Sequence, residues 1–170
     1  ICSIEGDFFS SNWDRLLNLT EAAMKTSDLC GWMNMTNAPY IHPSYFFAKR
    51  ELIMKAGMDF TPHPEINGGD HFSAITWKAK ELGATITALP IGDVKPDSLA
   101  FHLGSVNIHY LNFQTPGFQF HRPDIFSVYN YFSKRAPVAQ SPEFMKLMDL
   151  VEEKLPPKEE DIEKWKAFFE

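Results

Sequence analysis

Gly68-Gly69-Asp70-His71-Phe72-Ser73-Ala74-Ile75-Thr76-Trp77-Lys78-Ala79-Lys80-Glu81-Leu82-Gly83-Ala84-Thr85-Ile86-Thr87-Ala88-Leu89 sets a helix directly in front of a strand. Phe72, Ile75, Ala79 and Leu82 recur with helical periodicity, which predicts one buried stripe on a helix running from Asp70 to Leu82. Gly83 stops it, because glycine accepts the left-handed turn that ends a helix. Ala84 to Leu89 then alternates in the manner of a strand. A helix handed to a strand through one glycine is a building block of α/β architecture. It also singles out Asp70, carried to the helix start by a flexible glycine pair. Two readings of Asp70 stand at this point. One is a plain N-cap, a role that Asp fills well. The other is a carboxylate kept ionised by the helix dipole and held to take a proton from a hydroxyl group.

The same grammar extends toward the start of the chain. Ile1 to Ile4 is a short apolar run that ends in Glu5-Gly6-Asp7, the pattern of a strand running into a loop. Ser10-Ser11-Asn12 offers caps for a helix whose stripe is Trp13, Leu16, Leu17, Thr20, Ala23 and Met24. Cys30 to Thr36 reads as a strand, and Asn37-Ala38-Pro39-Tyr40 as a turn. Tyr45 to Ala48, fed by Ile41-His42-Pro43, reads as a buried strand. Arg50 to Ala56 is a short helix stopped by Gly57. Met58 to Asn67, with Pro62 and Pro64, reads as a loop.

Toward the end of the chain, Pro90 to Ser98 is a loop, and Leu99–Leu103 and Val106–Phe113 are expected to be two short strands. After Pro116-Gly117 the pattern turns helical. Pro123 to Lys134 is one helix. Ser141-Pro142-Glu143 starts another with an N-cap serine and a proline at the first helical position. Past Pro156-Pro157, Ile162, Trp165, Phe168 and Phe169 share a face of the last helix. The expected fold is therefore α/β, a mixed sheet flanked by helices over residues 1–115, with residues 116–170 as a helical tail packing on it.

Composition narrows the function. The chain has 170 residues, 44% of them hydrophobic and 14% aromatic, enough to bury a sizeable core. A net charge of -6 without a dense Lys/Arg stripe excludes a nucleic-acid binder. Cys2 and Cys30 are too few for a disulfide framework and read as two buried thiols in a reducing compartment. With no signal peptide and no bilayer-length apolar run, the expectation is a cytoplasmic chain without a transmembrane segment.

Three clusters at element ends could carry chemistry. Glu5-Gly6-Asp7 is either a polar turn or a pair of carboxylates able to reach a divalent cation on phosphate oxygens. Asp70 has the two readings given above. His102, in Phe101-His102-Leu103-Gly104-Ser105, is either a satisfied core histidine or the imidazole that completes a metal site, with His109 as its rival. His42, His63, His71 and His121 have no partner discernible in the sequence and read as structural or exposed.

The order of these features resembles the second half of a GT-A glycosyltransferase of the family-2 type. Ile1-Cys2-Ser3-Ile4-Glu5-Gly6-Asp7 followed by Ser11-Asn12-Trp13-Asp14-Arg15-Leu16-Leu17 is similar to its strand, Asp-x-Asp motif and following helix. Ile41 to Arg50 through Ala56-Gly57-Met58-Asp59-Phe60 resembles its next strand, basic residue and short helix. Gly68-Gly69-Asp70-His71-Phe72 resembles the acidic segment that opens its catalytic helix, and Phe101-His102-Leu103-Gly104-Ser105 its histidine beside glycine and serine. The likeness covers residues 1 to about 110. It departs at Glu5, where the family has Asp, and at Gly69, where many members have a second acid. The nucleotide-binding βαβ half is expected to lie outside this sequence.

The resemblance implies a partial GT-A (Rossmann-like) fold and transfer of a sugar from a nucleotide diphosphate sugar to a carbohydrate or other hydroxyl acceptor. It implies Mn²⁺ or Mg²⁺ held by Asp7 and His102, with Glu5 at the ribose or a metal-bound water. Asp70 would be the base of an inverting displacement. Trp77, Tyr110 and the loop 58–67 would face the sugar or acceptor. Two other classes stand beside it: a metal-dependent hydrolase built on Asp70, His71 and His102, and a non-catalytic glycosyltransferase-like module. An exposed sheet edge or the helical tail would serve self-association.

Overall fold

The computed structural model describes residues 1–34, 39–57, 63, 73–91 and 95–170, with the backbone alone for Asn34. Among these are six strands and seven helices in a mixed α/β arrangement. The chain divides into two compact units, Ile1–Asp93 with Ser98–His102, and Val94–Asp97 with Leu103–Glu170.

The first unit is built on a four-stranded sheet. Its strands are β1 (Cys2–Ile4), β3 (Leu29–Asn34), β4 (Tyr40–Ala48) and β5 (Ile86–Leu89), in the order β1-β4-β3-β5. β4 runs antiparallel to both its neighbours, while β5 runs parallel to β3. A separate antiparallel pair joins β2 (Phe8–Ser10) to β6 (Ala100–His102). Both faces of the larger sheet are buried. On one, Leu29, Ile41, Phe46 and Ala48 pack with Leu52 and Ile53 of α2 (Arg50–Ala56) and Ile75 and Ala79 of α3 (Ser73–Glu81). On the other, Cys30, Tyr45 and Leu89 pack with Leu16 of α1 (Trp13–Met24), Phe8 and Ala100. A central strand covered on both faces is apolar at successive positions, which is why Tyr45-Phe46-Phe47-Ala48 shows no alternation.

β4 is one nine-residue strand with Pro43 inside it. Its register against β3 jumps, with Gly31 opposite Phe46 and Met33 opposite Ile41. Four residues, His42 to Tyr45, therefore bulge opposite Trp32 alone. The bulge accommodates the proline, which cannot donate to the ladder. It also resets the side-chain parity. Ile41 shares a face with Phe46 and Ala48, although a regular strand would place it on the opposite one.

Helix starts and stops follow the local sequence. Asn12 Oδ1 caps α1 by accepting from Arg15 N–H at 2.9 Å. Ser141 caps α6 (Pro142–Lys154) by accepting from Phe144 N–H at 3.1 Å. Gly83 takes the left-handed conformation, φ 69°, beyond α3.

Several expectations are corrected. Val106–Asn112 is a helix, α4, not a strand. Its apolar residues can be read as alternating, but His109, Tyr110 and Phe113 are buried while Ile108 and Leu111 face out, so burial follows the helical period. Phe8–Ser10, assigned to no element from sequence, pairs with β6. Leu17 and Leu82, each 45% exposed, lie outside the core stripes assigned to them. Cys2 is exposed, and only Cys30 is buried, its thiol pushed up to about 11 by burial.

The second unit contains α4, α5 (Pro123–Arg135), α6 and α7 (Glu159–Phe169). Asn130, fully buried on α5, accepts from Tyr110 Oη at 2.8 Å and donates to Met148 O at 3.1 Å. It thereby ties three helices through one side chain with both ends of its amide used. No helix among the described residues is long and apolar enough to cross a membrane.

Candidate metal centre

Glu5-Gly6-Asp7 links β1 to β2, and the backbone fixes both of its acids. Glu5 N–H donates to Ser44 O at 3.0 Å, continuing the β1–β4 ladder by one step. Phe8 N–H then donates to Glu5 O at 3.1 Å, which closes the turn. Phe8 sits opposite His102 in the β2–β6 pair, so strand pairing carries the histidine to the acidic turn. The result is a convergence on one ring nitrogen. His102 Nε2 lies 3.0 Å from Asp7 Oδ1 and 3.2 Å from Glu5 Oε2. Asp7 and His102 are mostly buried, whereas Glu5 is open to solvent at 39%.

The β4 bulge delivers two more residues. Ser44 Oγ donates to Glu5 Oε2 at 2.7 Å and is in hydrogen-bond contact with His42 Nδ1. Ser44 N–H also points at that nitrogen, at 3.2 Å. His42 is buried. Trp32, the residue facing the bulge, packs against both imidazoles, with ring centroids 4.6 Å from His42 and 5.7 Å from His102. The imidazoles are themselves 5.1 Å apart.

One ligand atom from each of Glu5, His42 and His102 falls within 4.8 Å of the others. Two carboxylate oxygens meet on one imidazole nitrogen, an arrangement that favours a proton or a cation between them. Two imidazole nitrogens with carboxylate oxygens suit divalent ions of the Mn²⁺ to Zn²⁺ series. The residues present thus fit a divalent metal.

Glu5, Asp7 and His102, singled out from sequence, are brought together. His42, read there as structural or exposed, stands beside them. Its sequence signal was Pro43, since a proline inside an apolar strand marks a bulge and bulges gather at sites. His109 belongs to the second unit, buried against Phe118, Phe120 and Phe126 at centroid distances of 5.8, 5.7 and 4.5 Å. Tyr110 is buried core of that unit rather than a sugar-facing ring. Trp77 stacks on His63 at 4.6 Å beside a pocket of about 260 Å³ lined also by Gly57, Ala74 and Glu81. Asp70, the candidate base, lies outside the described residues, as do Gly68, Gly69 and His71. No family model matches this chain, and no curated protein or solved structure is significantly similar to it.

Proposed function

We propose that the first unit is the metal and acceptor part of a glycosyltransferase of GT-A type. It would transfer a sugar from a nucleotide diphosphate sugar to an acceptor hydroxyl. The observation that carries this reading is the meeting of Asp7 and Glu5 with His102 Nε2, at 3.0 and 3.2 Å, from a strand-end turn and a distant strand. A divalent ion held there supplies positive charge against that growing on the departing diphosphate. Asp7 and His102 would hold the ion. Glu5, more exposed and already accepting from Ser44, turns its other oxygen to a ribose hydroxyl or water. Asp70 would act as the general base that removes the proton from the acceptor hydroxyl.

The test uses Mn²⁺ and a nucleoside diphosphate on the purified protein. Asp7→Ala and His102→Ala should each weaken Mn²⁺ binding by about 10-fold or more. Asp70→Asn should leave it intact while transfer falls by roughly 10²–10⁴. Unchanged Mn²⁺ affinity in both metal-site variants overturns the reading.

A second reading has one observation in its favour. Two imidazoles and a carboxylate are also the donor set of hydrolytic zinc sites. Metal-dependent hydrolysis in the absence of any nucleotide would select it.

A further inference from the structure

We propose that residues 118–121, between α4 and α5, form an acid-opened flap that the neutral ring of His109 latches shut, a device that belongs wholly to the second unit. His109 is 1% exposed, and among the described residues neither of its ring nitrogens has a hydrogen-bond partner. Its cover is of two kinds. Phe126, with its ring centroid 4.5 Å away, belongs to the helix α5. Phe118 and Phe120, at 5.8 and 5.7 Å, belong to a segment without regular structure. These two rings are half-buried, while Gln119 and His121 are exposed, so alternate side chains of the segment reach the histidine. Little else holds it. The Phe118 N–H donates to Thr115 O at 3.0 Å, closing the turn in front of the flap. Among the described residues, the backbone of 119–121 makes no hydrogen bond to another backbone group. Left-handed backbone brackets the segment, with φ 80° at Gly117 and 51° at Arg122. Closure therefore rests on ring contacts with His109 and, 5.5 Å from Phe120, with Phe126.

Those contacts suit a neutral ring only. A protonated imidazole has two N–H donors and a charge, and both need partners. Phenyl faces attract a cation, but they do not replace water: burial holds the His109 pKa below the ordinary 6.5. The charged groups nearby give no relief. α4 carries no acidic residue. His121 adds repulsion when charged, and Arg122 is answered by Asp124 at the start of α5. Lys134 and Arg135 of α5 pair with Asp149 and Glu152 of α6, Lys154 reaches Phe113 O, and Glu143, Lys146 and Glu153 are exposed. Lifting 118–121 admits water to one side of the ring and leaves Phe126 in its helix. The closed form is favoured fully above the ordinary histidine pKa and loses ground as pH falls through it. With His109 titrating near 6.5 in the open form, linkage multiplies the open population by about 10 between pH 7.5 and pH 5.5.

The experiment nicks the full chain with chymotrypsin after Phe118 and Phe120 at both pH values. Each rate is divided by that of a free peptide of residues 114–124 at the same pH, which removes the protease's own pH dependence. The ratio tracks the open population and should rise about 10-fold at pH 5.5, with cleavage after Tyr129 and Tyr131 of α5 unchanged. His109→Phe, which keeps an apolar ring and cannot take a proton, should hold the ratio within about twofold across the two values. His121→Asn should keep most of the rise. A second readout needs no variant: as the His109 ring titrates, its proton–proton nuclear Overhauser contacts to Phe118 and Phe120 should disappear while those to Phe126 persist. A parent chain with no rise, a rise undiminished in folded His109→Phe, cleavage in α5 that climbs in step, or contacts to all three phenylalanines that survive the titration each overturn the flap.

Discussion

His109 shows how one buried side chain sets a pH response. Among the described residues neither ring nitrogen has a hydrogen-bond partner, and three phenylalanine rings lie against it. Burial lowers its pKa from the ordinary 6.5, and the positive charge available to nearby His121 lowers it further. The folded chain therefore keeps His109 neutral where the unfolded chain takes up a proton. The stability this confers is complete above about pH 6.5 and drains away as pH falls from there toward the lowered folded value. Urea midpoints at pH 7.5 and 5.5 should show the loss. His109→Phe should flatten the difference relative to the parent chain and raise stability at both values, because it removes an unpaired buried polar group. A variant with the parent's pH dependence would assign the response to other histidines.

At the scale of elements, the β4 bulge makes a demand on its neighbour. A Cβ on Gly31 would collide with Tyr45 O and lie 2.9 Å from both Ile41 Cγ2 and Phe46 Cα. The bulged backbone crosses directly over this position, and the obstructing atoms are mostly backbone, which cannot turn aside. Gly31→Ala should therefore cost about 3 kcal/mol or more, read as a drop in the denaturant midpoint. A loss below about 1 kcal/mol would show that the bulge can shift. The same bulge carries His42 and Ser44 to Glu5, so a folded Gly31→Ala chain should also bind metal less tightly. α4 makes the complementary point. Strand and helix are both compatible with Val106 to Phe113, and the burial of His109, Tyr110 and Phe113 decides for helix.

At the scale of the molecule, the candidate metal donors Glu5, His42 and His102 all belong to the first unit, whereas the helices α5, α6 and α7 belong to the second. Mn²⁺ at about 100 times its dissociation constant should stabilise a purely native-state site by about 2.7 kcal/mol. Amide hydrogen exchange should slow in β4, β6 and the Glu5–Asp7 turn, which carry the candidate donors, and stay unchanged in α5–α7. Slowing confined to α5–α7 would place the ion elsewhere.

Much of this organisation was legible in the sequence. Asn12, Ser141 and Gly83 act within one turn of the chain, so their caps and stops are local chemistry and were read directly. The stripes of α1 and α3 were read in outline, and the acidic turn at Glu5 and Asp7 and the imidazole of His102 were recognised as residues at element ends. What only the tertiary structure decided depends on partners far along the chain. Pairing Phe8 with His102 brings Asp7 within 3.0 Å of a residue 95 positions away, and no local pattern encodes which strand lies opposite. His42 was passed over for the same reason: Pro43 hints at a bulge, but the place of His42 comes from a register jump against Trp32, and register is settled by burying both faces of a sheet at once, a condition no single stretch of sequence contains.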